Sequence, residues 1–106
     1  MDRVIRDGKV AVLVSPGYGA GWSTWADRDI DINILLFEPE VVAWVLNGKE
    51  GTVPDLAAKY DWEYFYDGGA DDLQVVWIEQ GQRFRIHEYD GSEHVVLEQD
   101  EEWYVA

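Results

Sequence analysis

The segment 15–25, with the sequence SPGYGAGWSTW, carries residue types that could bind a ligand. Its glycines let the backbone approach a partner closely, and the N–H groups between them could bind an anion. Its rings could stack on a base, and its hydroxyls could donate hydrogen bonds. The pattern predicts a ligand-binding loop formed by Gly17, Tyr18, Gly19, Gly21, Trp22, Ser23, Thr24 and Trp25. A structural turn with buried aromatic residues is the alternative interpretation.

Two common phosphate-binding motifs do not match this segment. A phosphate loop of the nucleoside-triphosphatase type ends in Gly-Lys-Ser or Gly-Lys-Thr, and no lysine follows the glycines here. The dinucleotide fingerprint requires two residues between its second and third glycines, within a strand–helix–strand unit. Here a single residue, Ala20, separates Gly19 from Gly21. The missing lysine excludes the first of these nucleotide-binding folds, and the glycine spacing excludes the second.

A second group of candidate residues is basic and lies about sixty residues further along the chain. Arg83, Arg85 and His87 alternate with other residues, which places them on one face of a predicted strand. Arginine side chains there could hold a phosphate or carboxylate through paired hydrogen bonds. With Arg28, they complete the predicted ligand-binding set. Pairing with nearby acids, such as Arg83 with Glu98 across two strands, is the alternative.

No catalytic or metal-binding arrangement is evident in the sequence. His87 and His94 face each other in the predicted hairpin, but Glu88 and Glu93 lie on its opposite face, so a third metal ligand is missing. The chain has no cysteine and no nucleophile elbow. We therefore predict no enzymatic activity, no cofactor and no metal site.

Several elements must position these residues. Residues 9–14 are predicted to form a buried strand after an Asp-Gly turn. Helices are predicted at about 39–47, where proline and acids start the helix and Asn-Gly ends it, and at about 53–60, starting from Thr52. Residues 62–66 follow a pattern with a period of two residues, which favours a strand. The apolar residues 34–37 fit a short strand or a helical turn.

The clearest pattern is a three-stranded meander at about 73–98, with turns at Gln80-Gly81 and Asp90-Gly91. Two-residue turns place Trp77 opposite Phe84 and His87 opposite His94. One face then carries the apolar residues Leu73, Val75, Trp77, Phe84, Ile86, Val95 and Leu97. We predict a single α+β domain over residues 1–106, with an antiparallel sheet and two short helices on one face.

The charge is strongly negative and uneven. Among 106 residues, 22 acids oppose 8 bases, for a net charge of −14, of which −11 lies in residues 51–106. Such a field repels nucleic acid and anionic membranes and attracts basic proteins. It fits either a solubilising surface or a mimic of a nucleic-acid backbone. The absence of cysteine, of an apolar leader and of a membrane-length apolar run predicts a cytoplasmic protein.

Three motifs, VAVLVSPGYGAGW, GGADDL and FRIHEYDGSE, together resemble a family of small accessory proteins of tailed phages and prophages. The resemblance implies a cytoplasmic role in the bacterial host, often against host defence. Two such roles suit the residues.

In the first, the protein sequesters a nucleotide-like anionic signal without chemistry. The rings would stack on it, Arg85 or Arg28 would neutralise its charge, and a homo-oligomer could form the pocket. In the second, an acidic mimic of DNA blocks a basic host defence protein, such as a CRISPR or restriction nuclease.

Overall fold

The computed structural model describes residues 2–27, 29–100 and 105–106. Three strands form an antiparallel sheet in the order β1–β2–β3, and two further strands form an antiparallel pair. The strands are β1 (Ile5–Arg6), β2 (Lys9–Val14), β3 (Gln74–Glu79), β4 (Phe84–Tyr89) and β5 (Ser92–Leu97). The α-helices are α1 (Ile32–Phe37), α2 (Pro39–Leu46) and α3 (Leu56–Tyr60). The α+β fold with antiparallel sheets is confirmed.

Strand β2 lies at the centre of the core, as its continuous apolar sequence predicts. Its residues from Val10 to Val14 are all buried, because both faces of the sheet are covered. Ala11 and Leu13 contact a cluster that includes α2 and α3. Val10 and Val12 pack in a second cluster with Phe37 and, from the β4–β5 hairpin, with Phe84, Val95 and Leu97. The three-stranded sheet therefore lies between α2 and α3 on one face and the hairpin on the other, with Phe37 of α1 on the hairpin side.

The predicted helix at 39–47 is confirmed as α2, which has proline at its first position. The second predicted helix begins later than expected, at Leu56. Asp55, not Thr52, caps it and accepts a hydrogen bond from the Ala58 N–H at 3.1 Å. The reason is Pro54, which disfavours helical geometry at the residue before it.

The second predicted hairpin is confirmed with its register. His87 lies opposite His94, and Ile86 lies opposite Val95. Asp90 and Gly91 both have positive φ, at 53° and 87°, which is the geometry of a tight two-residue turn.

The first predicted hairpin is wrong, although its strands exist. Strand β3 pairs with β2, so Trp77 lies opposite Ala11 and not opposite Phe84. Val76 and Ile78 alternate with Val75 and Trp77, so the predicted register would place them on the face opposite Phe84, but they pack with Phe84 of the hairpin. The physical reason is that β3 is apolar on both faces, so it lies within a covered sheet next to β2.

The predicted strand at 62–66 is also absent. Asp61 ends α3 with φ 58°, and the following residues have no regular structure. Trp62 and Phe65, three residues apart, both pack against the core and lie 6.0 Å apart between ring centroids. Packing of these rings replaces the alternation expected of a strand.

Within the described residues, no helix is both long enough and apolar enough to cross a bilayer.

Candidate functional site

The loop at 15–24 folds around a carboxylate of the protein itself. Glu93 of β5 is fully buried. Its two oxygens accept hydrogen bonds from the backbone N–H groups of Ser15, Trp22 and Thr24, each at 2.9 Å. The Thr24 hydroxyl donates a fourth bond at 2.5 Å. Three N–H groups of the predicted anion-binding loop therefore bind an internal anion.

The glycines of this loop serve close packing against the protein. The Gly19 N–H donates to the carbonyl of Asp90 in the hairpin turn at 2.6 Å. A Cβ on Gly69 would lie 2.5 Å from the carbonyl oxygen of Gly21, so the two segments meet backbone to backbone. The Ser92 hydroxyl donates to the Pro16 carbonyl at 2.6 Å. These contacts fix the loop on the hairpin end.

The predicted stacking rings do not form one surface. Trp22 is 1 % exposed, and its indole N–H donates to the Leu35 carbonyl at 2.8 Å. The prediction that Trp22 stacks on a ligand is therefore wrong, because the ring belongs to the core. Trp25 is 40 % exposed and lies 6.1 Å from Tyr66 between ring centroids. Tyr18 is 75 % exposed.

The indole N–H of Trp25 donates to Glu88 at 3.2 Å, and the Gly91 N–H donates to the same oxygen at 2.8 Å. These hydrogen bonds, the Gly91 bond foremost, lower the pKa of Glu88. Glu88 of β4 therefore ties the ring of Trp25, at the end of the segment 15–25, to the hairpin.

Part of the predicted site does come together in a groove of about 660 Å³. Ser23 and Thr24 lie on the same groove as Arg83 and Arg85, as expected of a composite pocket. The groove is lined by Arg3, Ser23, Thr24, Ile32, Asn33, Leu36, Phe37, Gln82, Arg83, Phe84, Arg85 and Ile86. We call this site the arginine groove.

The arginine groove combines positive charge with apolar surface. The Arg3 guanidinium carbon lies 4.0 Å from the centroid of the Phe37 ring, a cation–π contact. Phe37 meets Phe84 edge to face at 6.3 Å. Arg83 pairs with Glu98 at 3.4 Å, and both side chains are well exposed, so this ion pair holds Arg83 weakly. In a protein of net charge −14, three arginines line this one groove.

The remaining predicted residues lie elsewhere. His87 lies on the outer face of the hairpin, with its ring 5.8 Å from that of His94. Across the part of the chain that the structure describes, no three His, Asp or Glu side chains are grouped as metal ligands would be. Arg28 lies outside the described residues.

Sequence reasoning missed Arg3, Asn33 and the role of Glu93. No sequence signal pointed to Arg3 or Asn33, which reach the groove from the N-terminal segment and from α1. Glu93 could have been found, because the predicted register places it on the same hairpin face as Val95. An acid on the apolar face of a hairpin needs internal donors.

A second buried carboxylate, Glu38, joins α2 to α3. It caps α2 through the Glu40 N–H at 3.0 Å and accepts hydrogen bonds from Lys59 at 2.8 Å and from the Tyr60 hydroxyl. Burial alone would raise the pKa of Glu38, but these hydrogen bonds outweigh it and hold the pKa below its ordinary value. Burial, with the bond to Glu38, raises the pKa of Tyr60 to about 12. Since every group is paired, we interpret this cluster as a structural clamp.

Comparisons with protein families, with curated proteins and with solved structures found no match to this chain. The resemblance to small phage proteins therefore stays a prediction from the sequence.

Proposed function

We propose that this protein binds an anionic ligand in the arginine groove and holds it without a chemical step. One observation carries the proposal: Arg3, Arg83 and Arg85 line a single groove on an otherwise strongly acidic protein. Their guanidinium groups can form charge-assisted hydrogen bonds with phosphate or carboxylate oxygens.

The rest of the groove adds polar and apolar contacts. Ser23, Thr24 and Asn33 bring hydroxyl and amide groups to the wall, while Leu36 and Phe84 bring apolar surface. The volume of about 660 Å³ lies within the usual range for small-ligand sites. This combination suits a ligand with both negative charge and apolar parts.

The nucleotide-like character of the ligand and a role against host defence stay predictions. The sequence-based version assigned the stacking to Tyr18, Trp22 and Trp25, and none of the three lines the arginine groove as described. Our proposal therefore keeps the charge and hydrogen-bonding parts of that hypothesis and omits the stacking part.

Calorimetric titration with pyrophosphate, ATP and cyclic di-GMP tests the proposal. Replacement of Arg83 by glutamine should weaken binding about tenfold, the usual loss for one charge-assisted contact. Arg6→Gln is the matched control, since Arg6 lies in β1 near the Trp77 ring and does not line the groove. An equal loss in both variants would mean that only the overall charge matters, and would contradict the proposal.

A second candidate function, an acidic inhibitor of a nuclease, has its own supporting observation. Residues 61–72 carry exposed acids beside Tyr64, whose side chain is 63 % exposed. The exposed acids of this segment are Asp61, Glu63, Asp67, Asp71 and Asp72.

Cleavage assays with purified CRISPR and restriction nucleases test the second candidate. Joint replacement of Asp67, Asp71 and Asp72 by asparagine should relieve inhibition, whereas the same change at Asp2, Asp7 and Asp55 should not. Inhibition that both triple variants retain in full would contradict it.

A further inference from the structure

One edge of β4 is open to the arginine groove. Strand β4 pairs with β5 on its other edge, and the Glu98 N–H donates to the Arg83 carbonyl at 3.1 Å. Successive residues alternate in an antiparallel pair: one points its N–H and C=O groups at the partner strand, and the next points them away from it. The backbone carbonyl of Arg83 points toward β5. The backbone groups of Phe84 and Ile86 therefore point away from β5.

These outward backbone groups have no partner in the described part of the chain. No hydrogen bond from a described residue reaches the outer side of β4 at Phe84 or Ile86. The groove is lined by five consecutive residues, Gln82 to Ile86, as expected where a strand edge forms its wall. An edge with free N–H and C=O groups is a template for another strand.

Helix α1 also lines the groove. It contributes Ile32, Asn33, Leu36 and Phe37. The strand edge from Arg83 to Ile86 spans about 10 Å, at about 3.4 Å per residue. This length corresponds to about four extended residues, and the groove beside the edge has a volume of about 660 Å³.

The side chains along β4 define the sequence that such a segment should carry. Phe84 and Ile86 lie on the apolar face of the hairpin, while Arg83 and Arg85 lie on the other face. A paired strand alternates its side chains in the same way. Apolar residues would meet Phe84 and Ile86, and acidic residues would meet the arginines.

We propose that the ligand of the arginine groove is an extended, acidic–apolar segment of another protein, which adds as a strand to the free edge of β4. Charge complementarity with Arg3, Arg83 and Arg85 identifies the segment as acidic. Backbone pairing supplies affinity, and the alternating side chains supply specificity. This inference depends on the proposed function, because it names the class of anion that the same groove holds.

The experiment uses the full chain and the capped pentapeptide Glu-Val-Glu-Val-Glu, labelled for fluorescence anisotropy. A peptide of the same composition in the order Glu-Glu-Glu-Val-Val tests the alternation. A third peptide carries N-methyl groups on both valines, which removes the backbone N–H donors of those residues. A fourth peptide carries the N-methyl groups on the glutamates instead. Two methylated peptides are needed because only one of the two alternating sets of N–H groups would face β4. We expect binding of the alternating peptide, and at least tenfold weaker binding of the reordered peptide and of one methylated peptide. Arg83→Gln should weaken binding about tenfold, and Arg6→Gln should leave it unchanged.

Other outcomes overturn the inference in different ways. Equal binding of all four peptides would show attraction by charge without strand pairing. Binding of pyrophosphate or ATP, with no binding of the alternating peptide, would overturn the inference and leave the proposed function standing. No binding of any anion or peptide would overturn both. Self-association that Arg83→Gln abolishes would make a second copy of this chain the occupant, which also overturns the inference.

Discussion

The Thr24 hydroxyl donates a 2.5 Å hydrogen bond to the buried carboxylate of Glu93, 69 residues further along the chain. The same carboxylate oxygen accepts the backbone N–H groups of Trp22 and Thr24, and the other oxygen accepts that of Ser15. Four donors therefore converge on one internal anion. We conclude that Glu93 sets the conformation of the glycine-rich loop and, through it, the place of Ser23 and Thr24 in the arginine groove.

Replacement of Glu93 by glutamine should destabilise the protein strongly. The amide NH₂ would face backbone donors, and at least one N–H group would lose its partner, so we expect a loss of about 3 kcal/mol in the free energy of unfolding. Urea denaturation measures this loss. Glu98→Gln is the control, because the Glu98 side chain is exposed and its ion pair with Arg83 is weak. Similar losses in the two variants would show that Glu93 does not organise the loop.

The two tryptophans of the loop should respond differently to substitution. Trp22→Phe removes the indole N–H that binds the Leu35 carbonyl inside the core, so it should cost about 2 kcal/mol of unfolding free energy. Trp25→Phe removes a contact at an exposed ring and should cost less than about 1 kcal/mol. Thermal denaturation followed by circular dichroism compares them. A larger effect at Trp25 would contradict the assignment of Trp22 to the core.

The fold was predictable where pairing is local. The turn at Asp90 and Gly91 joins adjacent strands, so turn length and alternation together give the register of His87 with His94. The pairing of β3 with β2 joins residues that are 60 to 70 positions apart in the chain. The apolar residues on both faces of β3 were the available signal, since they indicate a strand covered on two sides.

The candidate site was predictable only in part, for a related reason. Arg83 and Arg85 were found because they alternate on one strand, and Ser23 because it follows a glycine-rich turn. The role of Trp22 stayed open between a ligand contact and a core position, because a ring beside glycines can face either. Its burial depends on Glu93 and Leu35, which belong to other elements. Residues that act through distant partners leave no local pattern.

Gly69 should tolerate no side chain. Its backbone is buried, and a Cβ there would lie 2.5 Å from the Gly21 carbonyl oxygen and 3.0 Å from the Ser15 hydroxyl. Gly69→Ala should therefore cost about 2 to 3 kcal/mol in unfolding free energy, the usual range for overpacking. Gly68→Ala is the matched control, because the atoms nearest to its Cβ belong to the outer end of the Tyr66 side chain and not to the backbone. Chemical denaturation of the two alanine variants compares their unfolding free energies. Equal stability of the two variants would contradict the close contact at Gly69.

Stability at high pH should depend on Tyr60. Burial and the hydrogen bond to Glu38 raise the pKa of Tyr60 to about 12, above its ordinary value of 10.0. A raised pKa in the folded state gives a stabilising contribution that is full below pH 10 and is lost as the pH rises through about 12. Tyr60→Phe should therefore lower the unfolding free energy by about 2 kcal/mol at neutral pH and reduce its fall between about pH 10 and 12.

Urea denaturation at several pH values measures this dependence, with Tyr64→Phe as the control for an exposed tyrosine. Lys59 also contributes at high pH, because its hydrogen bond to Glu38, followed by that to Glu40, raises its pKa. Some alkaline loss should therefore persist in Tyr60→Phe. If the two phenylalanine variants lose stability in parallel from neutral to alkaline pH, the buried carboxylate of Glu38 does not hold the Tyr60 proton, and the clamp between α2 and α3 depends on Lys59 alone.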